Sequence, residues 1–300
     1  MSITAQGLTK KYGEQIAVNA ISFTIQEPGI VGFLGPNGAG KSTTMKMITG
    51  YLQPDAGMVN VCGFTLPQDA IAVKSRLGYL PESNPLYHDL YVREYLELSG
   101  KWYKAAPLKK RVGDTIEQVG LQQEAHKKIG QLSKGYKQRV GLAAAMLHHP
   151  EVMILDEPTS GLDPNQLVEI RNLIKSAGKE KTVLLSTHIM QEVEAMCNRV
   201  IIIHKGNLVA DDTLENLQNA NQQKALKVGF EEPLEPEWLK RLPGVTAVEK
   251  TATLHWLLHT PDTDALRKQV LHLAAEQNLN IVSLQTTGGS MEEIFRSLTN

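Results

Sequence analysis

The sequence predicts an α/β fold: a mostly parallel core sheet, interrupted by a helical insertion and followed by a small α+β domain. Three observations carry this. Short, almost continuously apolar runs alternate with helical stretches over the first two hundred residues. One long helical segment breaks that alternation, and near residue 220 the composition turns polar before a separate strand–helix pattern begins. Apolar runs of ~4–8 residues suit strands buried on both faces. Their alternation with helices suits parallel crossovers.

The apolar runs fall at residues 17–25, 29–34, 77–80, 152–155, 182–186 and 200–203. Residues 90–150 have helical spacing, with basic clusters at Lys109, Lys110 and Arg111 and at Lys127 and Lys128. Such clusters are expected to be solvated helix faces. Asn219, Ala220, Asn221, Gln222 and Gln223 read as a linker, which sets the domains at 1–220 and 221–300. Beyond it, strand patterns at 226–230, 245–248, 254–258 and 280–284 enclose helical ones at 238–241 and 264–276, with a last helix at 291–298. In the middle helix Leu266, Val270, Leu273 and Ala274 share a face. The order β-α-β-β-α-β predicts a ferredoxin-like arrangement.

Composition narrows the class. A chain of 300 residues suits one large domain or two unequal ones. With 42% hydrophobic and 21% charged residues it is ordinary for a soluble globular protein. A net charge of -1 gives no cationic excess, so nucleic acid is not expected as the main partner. Cys62 and Cys197 lie in apolar patterns without C-x-x-C spacing, and reduced thiols are expected. No apolar run approaches the ~18 residues of a membrane span. The first residues lack the basic segment and apolar core of a secretory signal. Action at a membrane would need another chain's span.

The residues that carry chemistry begin with Gly35, Pro36, Asn37, Gly38, Ala39, Gly40, Lys41, Ser42 and Thr43, which fit G-x-x-x-x-G-K-[ST] between a strand and a helix. Glycines let backbone N–H groups turn onto phosphate oxygens, and the helix N-terminus adds a favourable field. Lys41 is expected to reach the β- and γ-phosphates of a nucleotide, and Ser42 to ligate Mg²⁺. Residues 152–155 end in Asp156 and Glu157. Asp156 is placed to hold the Mg²⁺ water shell and Glu157 to polarise an attacking water. Leu132, Ser133, Lys134, Gly135 and Tyr136 precede a helix carrying Val140, Ala143 and Leu147 on one face. Ser133 there is either an ordinary N-cap or part of an anion site, and the residues alone do not choose.

Taken together these motifs resemble the ABC (ATP-binding cassette) ATPase family over roughly residues 2–220. Residues 132–136 look like its signature L-S-G-G-Q, and Ser160, Gly161, Leu162 and Asp163 look like its D-loop. His188 looks like its switch histidine and Tyr12 like its adenine-stacking aromatic. Two positions depart from the pattern. Lys134 and Tyr136 replace Gly and Gln in the signature, leaving Ser133 and Gly135. Glu82 stands where the family has Gln; it is either a water-mediated Mg²⁺ ligand or an exposed loop acid.

The resemblance implies a P-loop ATPase cassette with N-terminal antiparallel strands. It implies ATP and Mg²⁺ as cofactors, and a homodimer or paralogous pair in which Ser133 and Gly135 of one chain face the nucleotide of the other. It also implies a multi-span permease partner and a peripheral place at the cytoplasmic face of the membrane. Tyr87, Tyr91, Tyr95, Trp102 and Tyr103 would anchor that partner or, equally, fill the core. The single cassette with its extension looks like bacterial drug- or lipid-exporter ATPases, and residues 79–98 are similar to the gliding-motility-associated subgroup. A single P-loop, no sustained heptads and no N-K-x-D motif argue against ribosome-acting, chromosomal and GTPase classes.

Overall fold

The computed structural model describes residues 2–220, 225–287 and 291–299. It divides into two compact units, Met1–Thr213 and Leu214–Asn300. In chain order the first contains β1 (Ile3–Tyr12), β2 (Gln15–Ile25), β3 (Gly29–Leu34), α1 (Lys41–Ile48), β4 (Ala56–Val61), β5 (Phe64–Leu66), α2 (Ala70–Arg76), β6 (Leu77–Leu80), α3 (Val92–Trp102) and α4 (Leu108–Gln118). It continues through α5 (Lys134–Met146), β7 (Val152–Asp156), α6 (Pro164–Gly178), β8 (Thr182–Thr187), α7 (Met190–Met196), β9 (Arg199–His204) and β10 (Asn207–Thr213).

Six strands form the sheet that carries the site, in the order β10-β9-β3-β8-β7-β6. The pairs from β9 to β6 are parallel, and β10 adds an antiparallel edge. β7 and β8 are buried at every residue, as strands covered on both faces should be. A second, antiparallel sheet runs β2-β1-β4-β5. Its buried face, with Ile3, Leu8, Phe23 and Val59, shares one core with Phe33, Met45 and Ile201. The Phe23 and Phe33 rings meet across it at 5.7 Å. Each such fully buried side chain contributes roughly 1.5–3 kcal/mol.

Residues 90–150 form the expected helical insertion. α3, α4 and α5 turn Leu96, Val112, Ile116 and Val140 inward, and Leu147, just past α5, is buried with them, while Lys109, Lys110, Lys127 and Lys128 are exposed.

The second unit contains α8 (Leu214–Ala220), β11 (Ala225–Phe230), α9 (Pro236–Lys240), β12 (Ala247–Ala252), β13 (His255–His259), α10 (Thr263–Glu276), β14 (Ile281–Thr287) and α11 (Met291–Thr299). Its sheet runs β12-β13-β11-β14 with every neighbouring pair antiparallel. β13 therefore separates β11 from β12, the split βαβ arrangement expected from the sequence. Leu266, Val270 and Ala274 of α10 bury against Leu226, Val228, Trp256 and Leu258. The first hairpin strand forms two residues later than the sequence predicts, at Ala247 rather than Val245. Asn219 and Ala220 are not linker: they end α8, which contacts α11 within this unit. The linker residues Asn221, Gln222 and Gln223 lie outside the described residues. Among the described residues no helix is long and apolar enough to cross a membrane, and Cys62 and Cys197 are free thiols.

Candidate active site

β3 ends at Leu34 and hands the chain to the glycine-rich loop at its carboxyl end. Gly40, which caps α1, holds φ at 106°, a conformation open chiefly to glycine. A Cβ there would also collide with the carbonyl oxygen of Ala17. With no side chain to cap it and no acid in its first turn, α1 presents its first N–H groups to any anion in the loop.

Lys41, the first residue of α1, is 6% exposed. Its Nζ donates to the carbonyls of Gly35 at 2.8 Å and Pro36 at 3.2 Å. It also lies 3.4 Å from Oε1 of Glu157. Ser42 Oγ donates to Asp156 Oδ1 at 3.2 Å. Asp156 closes β7 and is buried. Glu157 follows it with φ at 49°, a left-handed conformation costing a non-glycine residue roughly 1–3 kcal/mol. Its N–H donates to Ser186 O at 3.0 Å, and the turn carries its side chain toward Lys41 and His188. His188 Nδ1 lies 3.0 and 2.9 Å from the two Glu157 oxygens. Three strand ends, those of β3, β7 and β8, thus bring Lys41, Ser42, Asp156, Glu157 and His188 together, as open α/β sheets do at their carboxyl edge.

Glu82 lies two residues past β6 and is exposed. It lines a cavity of about 610 Å³ that also reaches Ser42 and Asp156. That cavity continues to Tyr95, Trp102 and Tyr103. Tyr87, Tyr91, Trp102 and Tyr103 are 41–63% exposed, so they are surface aromatics and not core. Tyr12 ends β1 opposite Gln15 and is half exposed. Among the described residues no hydrogen bond or ring contact ties it to the glycine-rich loop.

Ser133 and Gly135 do not join this cluster. Ser133 caps α5, its oxygen accepting from Tyr136 N at 3.4 Å. Gly135 is covered by the Gln166 side chain, and the Lys134 ammonium lies against Gly161. Asp163 caps α6 by accepting from Gln166 N at 2.9 Å. The segment 133–135 therefore faces residues 160–166 of its own chain. The sequence reading missed Gln166, and it missed Glu192, whose buried carboxylate accepts from Thr187 beside His188.

No three His, Cys, Asp or Glu side chains gather into a metal cage among the described residues. A hydroxyl with a buried carboxylate is instead a hard-oxygen pair of the kind that shares Mg²⁺ with substrate phosphates.

Comparison with known proteins identifies the family. The family model described as ABC transporter matches residues 18–160. The model for the C-terminal domain of DrrA1-3-like ATP-binding proteins matches residues 213–299. The linearmycin resistance ATP-binding protein LnrL of Bacillus subtilis (strain 168) is 33% identical over 99% of this chain and 98% of its own. The bacitracin transport ATP-binding protein BcrA of Bacillus licheniformis is 39% identical over 74% of this chain and 72% of its own. Among solved structures, the dimeric post-hydrolysis state of the ATP-binding cassette MJ0796 bound to ADP and Pi superposes with a TM-score of 0.64 at 26% identity. The match covers 70% of this chain and 98% of that one. The chain belongs to the ATP-binding subunits of ABC transporters, and it is a cassette that binds and hydrolyses ATP.

Proposed function

We propose that the chain powers transport, as an exporter, through a separate multi-span permease, and that it does so by closing on a second cassette around ATP. The observation that carries the reading is the chain Lys41–Glu157–His188, in which the lysine and the acid are buried and the histidine is exposed, beside the Ser42–Asp156 pair. Residues 35–43 would cradle the phosphates, with Lys41 leaving the Gly35 and Pro36 carbonyls for phosphate oxygens. Ser42 and Asp156 would hold Mg²⁺, with Glu82 reaching it through water. Bound there, the ion supplies positive charge to the phosphates. Glu157 orients and polarises the attacking water, and His188 keeps that carboxylate in place. Tyr12 stacks on adenine. Ser133 and Gly135 serve the nucleotide of the opposite copy, which is why they stand apart from Lys41 in one chain. ATP favours the closed pair and ADP the open one, a differential-affinity switch.

The permease is proposed to seat a short helix in the cavity between Glu82 and Tyr103. Exposed Tyr and Trp side chains around an apolar cleft are the anchors such contacts use. Seated there, the chain sits peripherally at the cytoplasmic face of the membrane. The names of BcrA and LnrL, transport and resistance respectively, support export. The second unit, Leu214–Asn300, is proposed as an accessory domain that tunes coupling. Affinity purification of the tagged chain from detergent-solubilised native membranes tests the reading. A multi-span protein should co-elute and stimulate the ATPase. An active ATPase recovered with no membrane partner would reject the transport role.

A further inference from the structure

Glu192 is a fully buried acid, at 0% exposure, with no part in the site described so far. It lies on α7, four residues past His188. Its Oε2 accepts a hydrogen bond from the Thr187 hydroxyl at 2.9 Å. That same hydroxyl oxygen accepts from the Ile189 N–H at 3.1 Å. Thr187 and Ile189 flank His188, so one hydroxyl ties the backbone on both sides of the histidine. A hydroxyl has a single proton to give. Committed to the carboxylate, it leaves a lone pair facing the Ile189 N–H.

Packing does not explain the acid. Glu192 Oε1 has no hydrogen-bond partner among the described residues, and leaving a buried carboxyl oxygen unpaired is costly. No described ion pair offsets it. Burial first, and the neighbouring Glu192 second, push the Cys197 thiol up to about 12, so Glu192 faces a neutral thiol there and not a cation. A leucine would fill the space without the penalty. What the carboxylate does through its paired oxygen is left as its reason to be there.

We propose that Glu192 is a positioning residue for ATP hydrolysis. Through the Thr187 hydroxyl it sets the backbone at His188 and so holds the imidazole on both oxygens of Glu157. The proposal rests on the reading of His188 and Glu157 as the hydrolytic pair.

The test is steady-state ATPase of Glu192→Leu, Glu192→Gln and Thr187→Val, each alone and in a His188→Ala background. ADP binding and the thermal midpoint are measured alongside. Glu192→Leu and Thr187→Val should each lower kcat about tenfold or more, with KM within twofold of native. Glu192→Gln keeps an acceptor for the hydroxyl and should stay within about threefold. In the His188→Ala background none should lower kcat further, an outcome a general loss of stability would not give. Thr187→Val exchanges hydroxyl for methyl and decides the matter if Glu192→Leu does not fold. Native kcat in Thr187→Val beside a crippled His188→Ala overturns the role of Glu192 alone. So does a further loss in the His188→Ala background. Native kcat in His188→Ala overturns the underlying reading of the pair.

Discussion

The carboxylate of Glu157 is shared between two cationic or proton-bearing partners: its Oε1 lies 3.4 Å from the Lys41 ammonium, and both its oxygens lie within 3.0 Å of His188 Nδ1. Lys41 is therefore fully engaged within the chain. It satisfies two loop carbonyls and one acid, which phosphate oxygens would replace in the proposed site. The residue that meets the Lys41 charge is also the one proposed to act on water.

That double role makes Glu157→Gln informative. The amide keeps the size and removes the base. ATPase should fall by ~10²–10⁴-fold, the usual contribution of a positioned base. ATP affinity should hold or rise, because the neutral amide no longer competes for Lys41. Steady-state hydrolysis with calorimetric binding checks both. Hydrolysis within about twofold of native would reject the assignment.

Lys41→Ala should abolish measurable ATP binding. It removes the charge partner of the phosphates. It also strips the Gly35 and Pro36 carbonyls of their donor and leaves Glu157 with His188 alone. Losing one partner of a buried pair costs about 3–5 kcal/mol, so the thermal midpoint should drop as well. Unchanged ATP affinity by calorimetry would contradict the loop's role.

The cluster around Lys41 was legible in sequence because its chemistry is local: a glycine-rich turn, an apolar strand ending in two acids, a histidine after another such strand. The five parallel strands were legible for the same reason, being nearly continuous apolar runs. β1, β4, β5 and β10 were not individually visible. In β1 only Ile3, Ala5 and Leu8 are buried. β4 begins Ala56-Gly57, and β10 carries Asp211, which binds Arg199 of β9 at 2.7 Å and so is no sign of a loop. Glu192 was invisible in principle. An acid on a short helix reads as solvated, and only the fold shows it buried against Thr187. Gln166 was missed likewise, since nothing in sequence sets it over Gly135.

His148 gives the fold a pH dependence of known sign. Its ring stacks on Tyr103 with centroids 3.9 Å apart, and Nε2–H donates to Leu77 O at 3.2 Å. Burial, the largest cause, depresses its pKa to about 4. The folded chain holds the ring neutral, whereas the unfolded chain protonates it near 6.5. Its contribution is thus fully present above 6.5 and is lost as pH falls toward 4. Thermal midpoints across that window should fall more steeply for the native chain than for His148→Gln. Parallel curves would remove His148 as a cause.

Ser133→Arg should block ATP-driven pairing while sparing ADP binding to the single chain. Ser133 is exposed at the start of α5 and makes no described contact with Lys41, Asp156 or Glu157. A bulky side chain there obstructs a shared interface but not the chain's own loop. Light scattering with ATP in a Glu157→Gln background reads the effect. An undiminished dimer would sink the composite-site reading.

A chain ending at Thr213 should bind ATP with near-native affinity. Thr213 ends β10, so this cut keeps every strand of both sheets of the first unit, and every residue proposed for the nucleotide lies at or before His188. A cut at Ala220 is predicted to be the worse choice. It retains α8 after removing α11, the helix that α8 contacts, and leaves that surface bare. The complementary piece from Leu214 has a core of its own around Leu226, Phe230, Trp256 and Leu266. At under ninety residues its isolated stability should be marginal, because a unit of that size buries only about 60% of its unfolded surface. Calorimetric titration of the two truncations with ATP, beside their thermal midpoints, checks the division. A folded chain ending at Thr213 that cannot bind ATP would place part of the nucleotide site in the second unit.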